Sequence, residues 1–364
     1  VQGFQNLDPQ GQEQYETLPR LSATYFESLS IFEVAMEFEY TNFAKDNENV
    51  GGLQGIVGER ALADASLSMP LRAVWGFIEP SINVVHRRYD LEDTPDGFRT
   101  DPALTTPGFS LDAGLFFDRF FEFRGRELQQ TLEPRIFYLY VEEDPQDDLP
   151  VFEVSPLTPS FSQLFRENRF TGRDRIGDAN QISVAATTRF LQRDTGAEFL
   201  SASIGEIWYF KDREVVYQPR PGDDNESSTS AIFTEGRITL ENGLRIVGSY
   251  EWDHRVNRSN RGKFSLKYNP DDRHIFNLSY IYTSDEVERR SQFRNEEESD
   301  LSFIWPLSGK WSLIGRWNYG WDENQTIESL LGVEYNDCCW KSRLVFRRYL
   351  KEPRNLTLIV DDPT

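Results

Sequence analysis

The sequence predicts an all-β protein, a large antiparallel transmembrane β-barrel. Three observations carry this expectation. Apolar and polar residues alternate with period two along much of the chain. The links between these stretches alternate short and long. No run approaches the roughly 18 apolar residues that a membrane helix needs, whereas a barrel strand needs an apolar residue only at every second position.

The alternation is clearest where Phe32, Val34, Met36, Phe38 and Tyr40 interleave with Glu33, Ala35, Glu37, Glu39 and Thr41. It returns at Ile136, Tyr138 and Tyr140, at Leu200, Ala202, Ile204 and Trp208, and at Phe276, Leu278, Tyr280 and Tyr282. Trp311, Leu313, Trp317 and Tyr319 repeat it once more. About sixteen strands follow from the pattern, near 21–26, 31–43, 59–69, 73–88, 109–118, 130–142, 181–191 and 197–211 in the first part. The rest fall near 230–241, 244–253, 262–268, 274–283, 299–305, 311–320, 327–334 and 339–349. Outward positions such as Val34, Phe38, Tyr138 and Leu278 are expected to meet lipid, and their neighbours a wet lumen.

Asn242-Gly243 reads as a two-residue hairpin turn with positive φ at both positions. Asn269–Arg273, Pro306–Lys310 and Tyr335–Asp337 are also tight links, whereas 212–229, 254–261, 284–298 and 321–326 are longer and polar. The link 118–130 is the least tidy of the short set. Short turns on the periplasmic side and long loops outside are the habit of outer-membrane barrels. A sandwich has no reason to sort its links this way, and no 40–50-residue repeat supports a propeller.

Composition narrows the function classes. The 364 residues carry 60 acidic and 39 basic side chains, a formal net charge of -21. A surface of that sign repels phosphate, so nucleic acid is not expected as a partner. With 27 Phe, 15 Tyr and 8 Trp the chain holds far more apolar material than a disordered one. Val1 onward lacks the basic start and apolar stretch of a signal peptide. If the 242–243 turn is periplasmic, both chain ends fall on the outer side, and Leu358–Thr364 does not read as a closing strand. The chain is therefore expected to be an internal piece of a larger barrel, lacking an odd number of strands at each end.

No enzyme is suggested. His86, His254 and His274 have no partner at metal-ligand or triad spacing, and no nucleophile elbow, zinc-protease motif or phosphate-cradling loop occurs. Neither a cofactor nor a metal is expected. The acidic groups Glu142–Asp148, Asp223–Glu226 and Glu296–Asp300 read as solvated loops, with divalent-cation binding the alternative. Two features stand out. The stretch Leu164–Gln181 interleaves Phe165, Arg166, Glu167, Arg169, Phe170, Arg173, Asp174, Arg175 and Asp178, so it can pair its own charges and fold into the lumen. The neighbours Cys338 and Cys339, ahead of Trp340, sit at a short turn on the oxidising periplasmic side. Adjacent cysteines rarely bond each other, so any disulfide partners are expected outside this chain.

The segment Leu164–Gln181, the stretch Thr131-Leu132-Glu133-Pro134-Arg135 and the group Asp337-Cys338-Cys339-Trp340 resemble the LptD family of outer-membrane lipopolysaccharide-assembly proteins, the organic solvent tolerance family. The resemblance runs along essentially all 364 residues in order and spacing. It implies a 26-stranded barrel behind an N-terminal jellyroll, with this chain (1–364) supplying sixteen strands, nine lying before it and one after. It also implies a plug lipoprotein (LptE-like), contacts with an LptA-like periplasmic bridge through the jellyroll, and placement in the outer membrane of a Gram-negative bacterium.

The activity implied is insertion of lipopolysaccharide into the outer leaflet. Acyl chains cross a polar lumen only at high cost, and sugars do not cross hydrocarbon. The family sends the sugars through the lumen while the lipid leaves between the first and last strands. By the same resemblance, Cys338 and Cys339 are each expected to pair with a cysteine at or near the jellyroll, and the loop 143–180 to meet the plug. The competing reading is a sixteen-stranded general diffusion porin. It is favoured by strand count and opposed by the cysteine pair and the two family motifs.

Overall fold

The computed structural model describes residues 15–45, 55–95, 97–217, 225–284 and 297–350. Within them lie eighteen strand segments. The first eight are β1 Glu16–Leu29, β2 Phe32–Ala44, β3 Val57–Ser68, β4 Leu71–Ala73, β5 Gly76–Glu92, β6 Ala103–Leu115, β7 Phe117–Phe123 and β8 Arg126–Val141. After a long connection follow β9 Ala179–Gln192, β10 Glu198–Tyr209, β11 Ile232–Thr239, β12 Leu244–Asp253, β13 Arg258–Asp271 and β14 His274–Thr283. The last four are β15 Glu298–Pro306, β16 Trp311–Gly320, β17 Gln325–Asn336 and β18 Lys341–Tyr349. Neighbours in sequence pair antiparallel, as in β1 with β2, β2 with β3 and each step from β12 to β18.

The count of eighteen reconciles with sixteen expected strands because two of them are broken. Both β3 and β4 pair with β5, Ser68 opposite Ser81 and Leu71 opposite Ile78, so they are arms of one strand interrupted at Met69-Pro70. Proline has no N–H for the ladder, which explains the break. The second break is at Phe116, between β6 and β7.

Four links differ from the sequence reading. Residues 118–130 are mostly strand, with a two-residue turn at Arg124-Gly125 where φ is positive at both (53° and 75°). At Asn242-Gly243 only Gly243 has positive φ, 81°. The Gly243 amide there donates to the Leu240 carbonyl at 3.2 Å, and the Asn242 side chain accepts from the Leu244 amide at 3.2 Å. This is a turn closed by a left-handed glycine rather than a mirror-image two-residue turn. Finally, β13 begins at Arg258 and β17 at Gln325, so residues 254–257 and 321–324 form short links and the length asymmetry is weaker there. Strand pairing continues past the apolar stretch that marks it in sequence. Of the acidic groups, Asp223, Asp224 and Glu296 lie outside the described residues, and Glu298–Asp300 opens β15 rather than ending a loop. The chain ends discussed above, 1–14 and 351–364, also lie outside the described residues.

The chain divides into two compact units. One takes the described residues up to Arg119 with Gln130–Thr188 and Ser203–Phe233; the other takes Phe120–Gln129, Arg189–Ala202 and the described residues from Thr234 on.

In the second unit, register collects the apolar residues on one face. Leu278 lies opposite Leu266 and Leu301, Phe276 opposite Tyr268 and Phe303, and Leu313 opposite Trp305 and Val333. Leu331 and Leu344 remain 58% and 62% exposed on this face, which in water would be a large cost and in lipid is none. Aromatic residues flank the aliphatic band at both ends. Tyr268, Trp305, Trp311 and Tyr335 lie toward the tight turns, while Tyr250, Tyr280, Trp317 and Tyr319 lie toward the opposite end. Two aromatic girdles around an apolar band are the mark of a membrane-spanning sheet. The other face is polar: Arg316 reaches Asp300 at 2.6 Å and Glu328 at 2.9 Å, and Glu334 takes Lys341 at 2.8 Å.

Candidate functional site

In the first unit the same alternation puts Phe38, Met36, Ile82 and Ile136 on an exposed apolar face, and Val34 and Tyr138 share its parity. The opposite face presents Glu37, Glu39, Arg60, Asp64 and Arg87. Alone, that face would be a solvated wall. It is instead covered by the connection between β8 and β9, residues 142–178.

The connection has structure of its own. Pro156 bridges Phe170, the Thr171 amide donates to Ser155 at 2.8 Å, and Phe161–Phe165 forms one 3₁₀ turn. Gly172 follows with φ of +68°, and a Cβ there would stand 1.9 Å from the Glu153 carbonyl oxygen. Only glycine fits that crossing.

Apolar side chains dock the loop on the wall. Phe43 of β2 stacks on Phe152 of the loop, centroids 4.2 Å apart, with Ile56, Tyr89, Leu91 and Leu149 around them. Leu164 is buried against Ala231 and Phe233, and Phe170 against Val154 and Val215. Phe165 meets Phe137 edge-on and lies 3.8 Å under the Arg135 guanidinium, itself held by Asp112 at 2.8 Å. The two sequence motifs, 131–135 and 164–181, therefore meet in space.

Between these patches lies a buried polar network. Asp174 accepts from Arg60 Nη1 at 2.7 Å, from the Tyr89 hydroxyl at 3.1 Å and from the Glu153 amide at 2.9 Å. Arg60 also reaches Glu39 at 2.7 Å and Glu153 at 2.9 Å. Arg87 donates to the Asp174 carbonyl at 2.9 Å, to Gln146 at 3.1 Å and to Thr106 at 3.1 Å. Arg175 is held by the Leu149 carbonyl at 2.9 Å, and burial lowers its guanidinium's proton affinity. Burying such charges is costly unless they are paired or hydrogen-bonded; here Arg60 is ion-paired, whereas Arg87 and Arg175 are held by carbonyl, amide and hydroxyl oxygens.

A second anchor is Asp178. Its carboxylate accepts from Arg169 at 2.7 Å and from the Glu214 and Val215 amides, both at 3.0 Å. Burial alone would push this carboxyl up. The Arg169 hydrogen bond and charge, with the two amides, outweigh it and hold the group below its usual range.

The expected loop residues thus divide by partner. Phe165 packs on Phe137 and Asp174 pairs with Arg60, so both reach the strand wall, while Arg169, Phe170, Arg175 and Asp178 are packed in the loop's own structure or its base. Arg173 instead crosses to Asp64 at 3.0 Å and to Glu37, and Glu167 accepts from Ser110 at 2.9 Å. Arg166 is exposed and stands apart from the network. Sequence reasoning paired the loop's charges among themselves and missed Arg60, Arg87, Glu39 and Gln146. For Arg60, Arg87 and Glu39 strand parity was the available signal, since each occupies the polar face of an otherwise alternating strand, whereas Gln146 lies in the loop itself.

Cys338 and Cys339 are exposed thiols at the turn between β17 and β18, sulfurs 3.1 Å apart. The Cys338 thiol is pushed up by its contact with Cys339, by partial desolvation and by Asp337. His86 meets Thr105 at 2.8 Å and His274 meets Asp271 at 2.7 Å.

Comparison with known sequences fits this construction. The profile of the family "LPS transport system D" matches residues 1–311. The LPS-assembly protein LptD of Hahella chejuensis is 36% identical over 358 residues, covering 97% of this chain and 44% of that protein. Its counterpart from Alkalilimnicola ehrlichii is 38% identical over 354 residues, covering 96% and 45%. The chain thus spans less than half the length of these relatives. The diffusion-porin reading falls with these matches, and family and lipid-facing sheet together place the chain in the outer membrane. By the extent of the profile match and the identity to its relatives, the chain belongs to the LptD family.

Proposed function

We propose that this chain is the greater part of the barrel of a translocon that inserts lipopolysaccharide into the outer leaflet of the outer membrane. The observation that carries the reading is the loop 142–178, pinned to the polar face by buried ion pairs centred on Arg60 and Asp174. A free-diffusion channel gains nothing from filling its polar face with an ordered, half-apolar plug. A translocon must exclude water and small solutes while a large amphiphile passes.

Two partners follow. The exposed side of the loop, Ser162 and Arg166 among it, meets an LptE-like plug lipoprotein. Cys338 and Cys339 bond cysteines at an N-terminal jellyroll that joins an LptA-like periplasmic bridge. Closing a loop of hundreds of residues would stabilise that arrangement by about 5 kcal/mol in the chain-entropy picture. It would also hold the jellyroll exit against the barrel, so that a lipid need not enter water between them.

The test is depletion of the full-length protein, reading the lipopolysaccharide that reaches the cell surface. Delivery should stop on depletion and return with the wild-type gene. Undiminished delivery without the protein would overturn the reading.

A further inference from the structure

Glycines on the apolar face are filled in one place and left open in another. On β16, a Cβ at Gly315 would stand 2.4 Å from the Phe303 ring, so a neighbouring aromatic already occupies the space. On β12 and β13 the contrast is plain. A Cβ at Gly248 would meet only the Lys263 carbonyl oxygen at 3.7 Å, and one at Gly262 only the Tyr250 ring at 3.7 Å. Register sets Gly262 between Tyr250 and Tyr282 in one cross-strand row, and Gly248 beside Phe264 and Tyr280 in the next. The missing side chain at Gly262 leaves a groove of about 400 Å³ walled by Tyr250, Phe264, Tyr280 and Tyr282.

This groove runs from the aliphatic band into the aromatic girdle at the end away from the tight turns. By the turn-and-loop asymmetry of such barrels, that end lies in the outer leaflet. Its walls are mainly aromatic rings, with Ser249, Ser259 and Lys263 also lining it. Its mouth carries hydroxyls and a carboxylate: Tyr250 and Ser259 are hydrogen-bonded to each other, and the Tyr280 hydroxyl donates to Glu297 at 2.7 Å. With Lys263 also among the lining residues, these groups can meet both the hydroxyls and the phosphates of a glycolipid headgroup.

We propose that the groove at Gly262 holds one acyl chain of an outer-leaflet glycolipid, lipopolysaccharide, as a fixed lipid on the barrel wall. The proposal rests on the outer-membrane placement and not on the delivery reading, because the glycolipid is present in the leaflet whichever protein put it there. An aromatic slot open to lipid gives a straight saturated chain more contact than the flat sheet beside it does.

The test uses the full-length protein in intact outer membranes. A photocrosslinking residue replaces Phe264 at the groove, or Leu301 on the flat band as a control. Lipopolysaccharide should be captured at 264 at least about five times more efficiently than at 301. Gly262→Leu fills the slot and should bring capture at 264 down to the control level, while Gly262→Ala leaves most of it. Surface delivery of lipopolysaccharide should be unchanged in both glycine variants. Equal capture at 264 and 301 would overturn the proposal and requires no glycine variant to fold. Capture of phospholipid alone, or full capture persisting in Gly262→Leu, would overturn it too.

Discussion

Arg60 on β3 donates to Asp174 in the covering loop across 2.7 Å, and neither side chain has any exposed surface. The two residues are 114 positions apart in sequence, so this one contact fixes where a long connection lands. Their neighbours Glu39, Glu153 and Tyr89 add further contacts to the two charges, leaving only Nε of the Arg60 guanidinium without a hydrogen bond.

Removing one partner should therefore cost more than the pair itself contributes. Arg60→Ala or Asp174→Ala leaves a buried charge without its counterpart, and each is expected to destabilise the docked loop by about 3–5 kcal/mol. Limited proteolysis of the loop in detergent-solubilised protein checks this. Cleavage no faster than in the wild type would show that the loop is held elsewhere.

The loop's second anchor gives a pH dependence of known sign. Asp178 has its carboxyl held below the usual value in the folded state. Its contribution is therefore complete above the unfolded value of about 4 and is lost as pH falls through the lower folded one. Hydrogen exchange at the Glu214 and Val215 amides should accelerate in that acid window, and Asp178→Asn should remove the pH dependence there. An unchanged acid profile in the variant would assign the effect to another group.

Gly172→Ala tests the backbone crossing. The left-handed conformation and the close Glu153 carbonyl both penalise a Cβ, so a loss of at least about 1 kcal/mol in loop stability is expected. Thermal unfolding followed by loop proteolysis reads it, and a neutral result would mean the crossing is looser than described.

On the lipid-facing sheet, Leu278→Arg is expected to destabilise folding into vesicles by roughly 2–4 kcal/mol, since the position lies in the aliphatic band between the girdles. Ser279→Arg, one residue along and on the polar face, should cost far less. Equal costs at the two sites would contradict the assignment of faces.

Much of this architecture was legible in the sequence, because period-two alternation states directly which residues share a face. Glu37 and Glu39 declare the polar face of β2 as plainly as Met36 and Phe38 declare the apolar one. Breaks were harder to read. Pro70 could be an edge or a turn until pairing with β5 is known, and Arg124-Gly125 hides a tight turn within an aromatic-rich stretch. The loop's apolar and charged content suggested order, but the strand partners of Arg173 and Asp174 lie more than eighty residues away, as with Arg87 and Asp174. No local pattern encodes such a pairing. Asp178 likewise finds backbone amides at 214–215, which leave no trace in side-chain spacing at all.

The placement of the loop over the polar face, against a plug lipoprotein, is tested most directly by photocrosslinking residues at Ser162 and Arg166 in full-length protein in cells. Adducts with the plug lipoprotein are expected at these positions, and cysteines placed there should resist an impermeant external maleimide. Efficient external labelling at both, with no lipoprotein adduct, would show that the loop projects from the cell surface and would contradict the assignment.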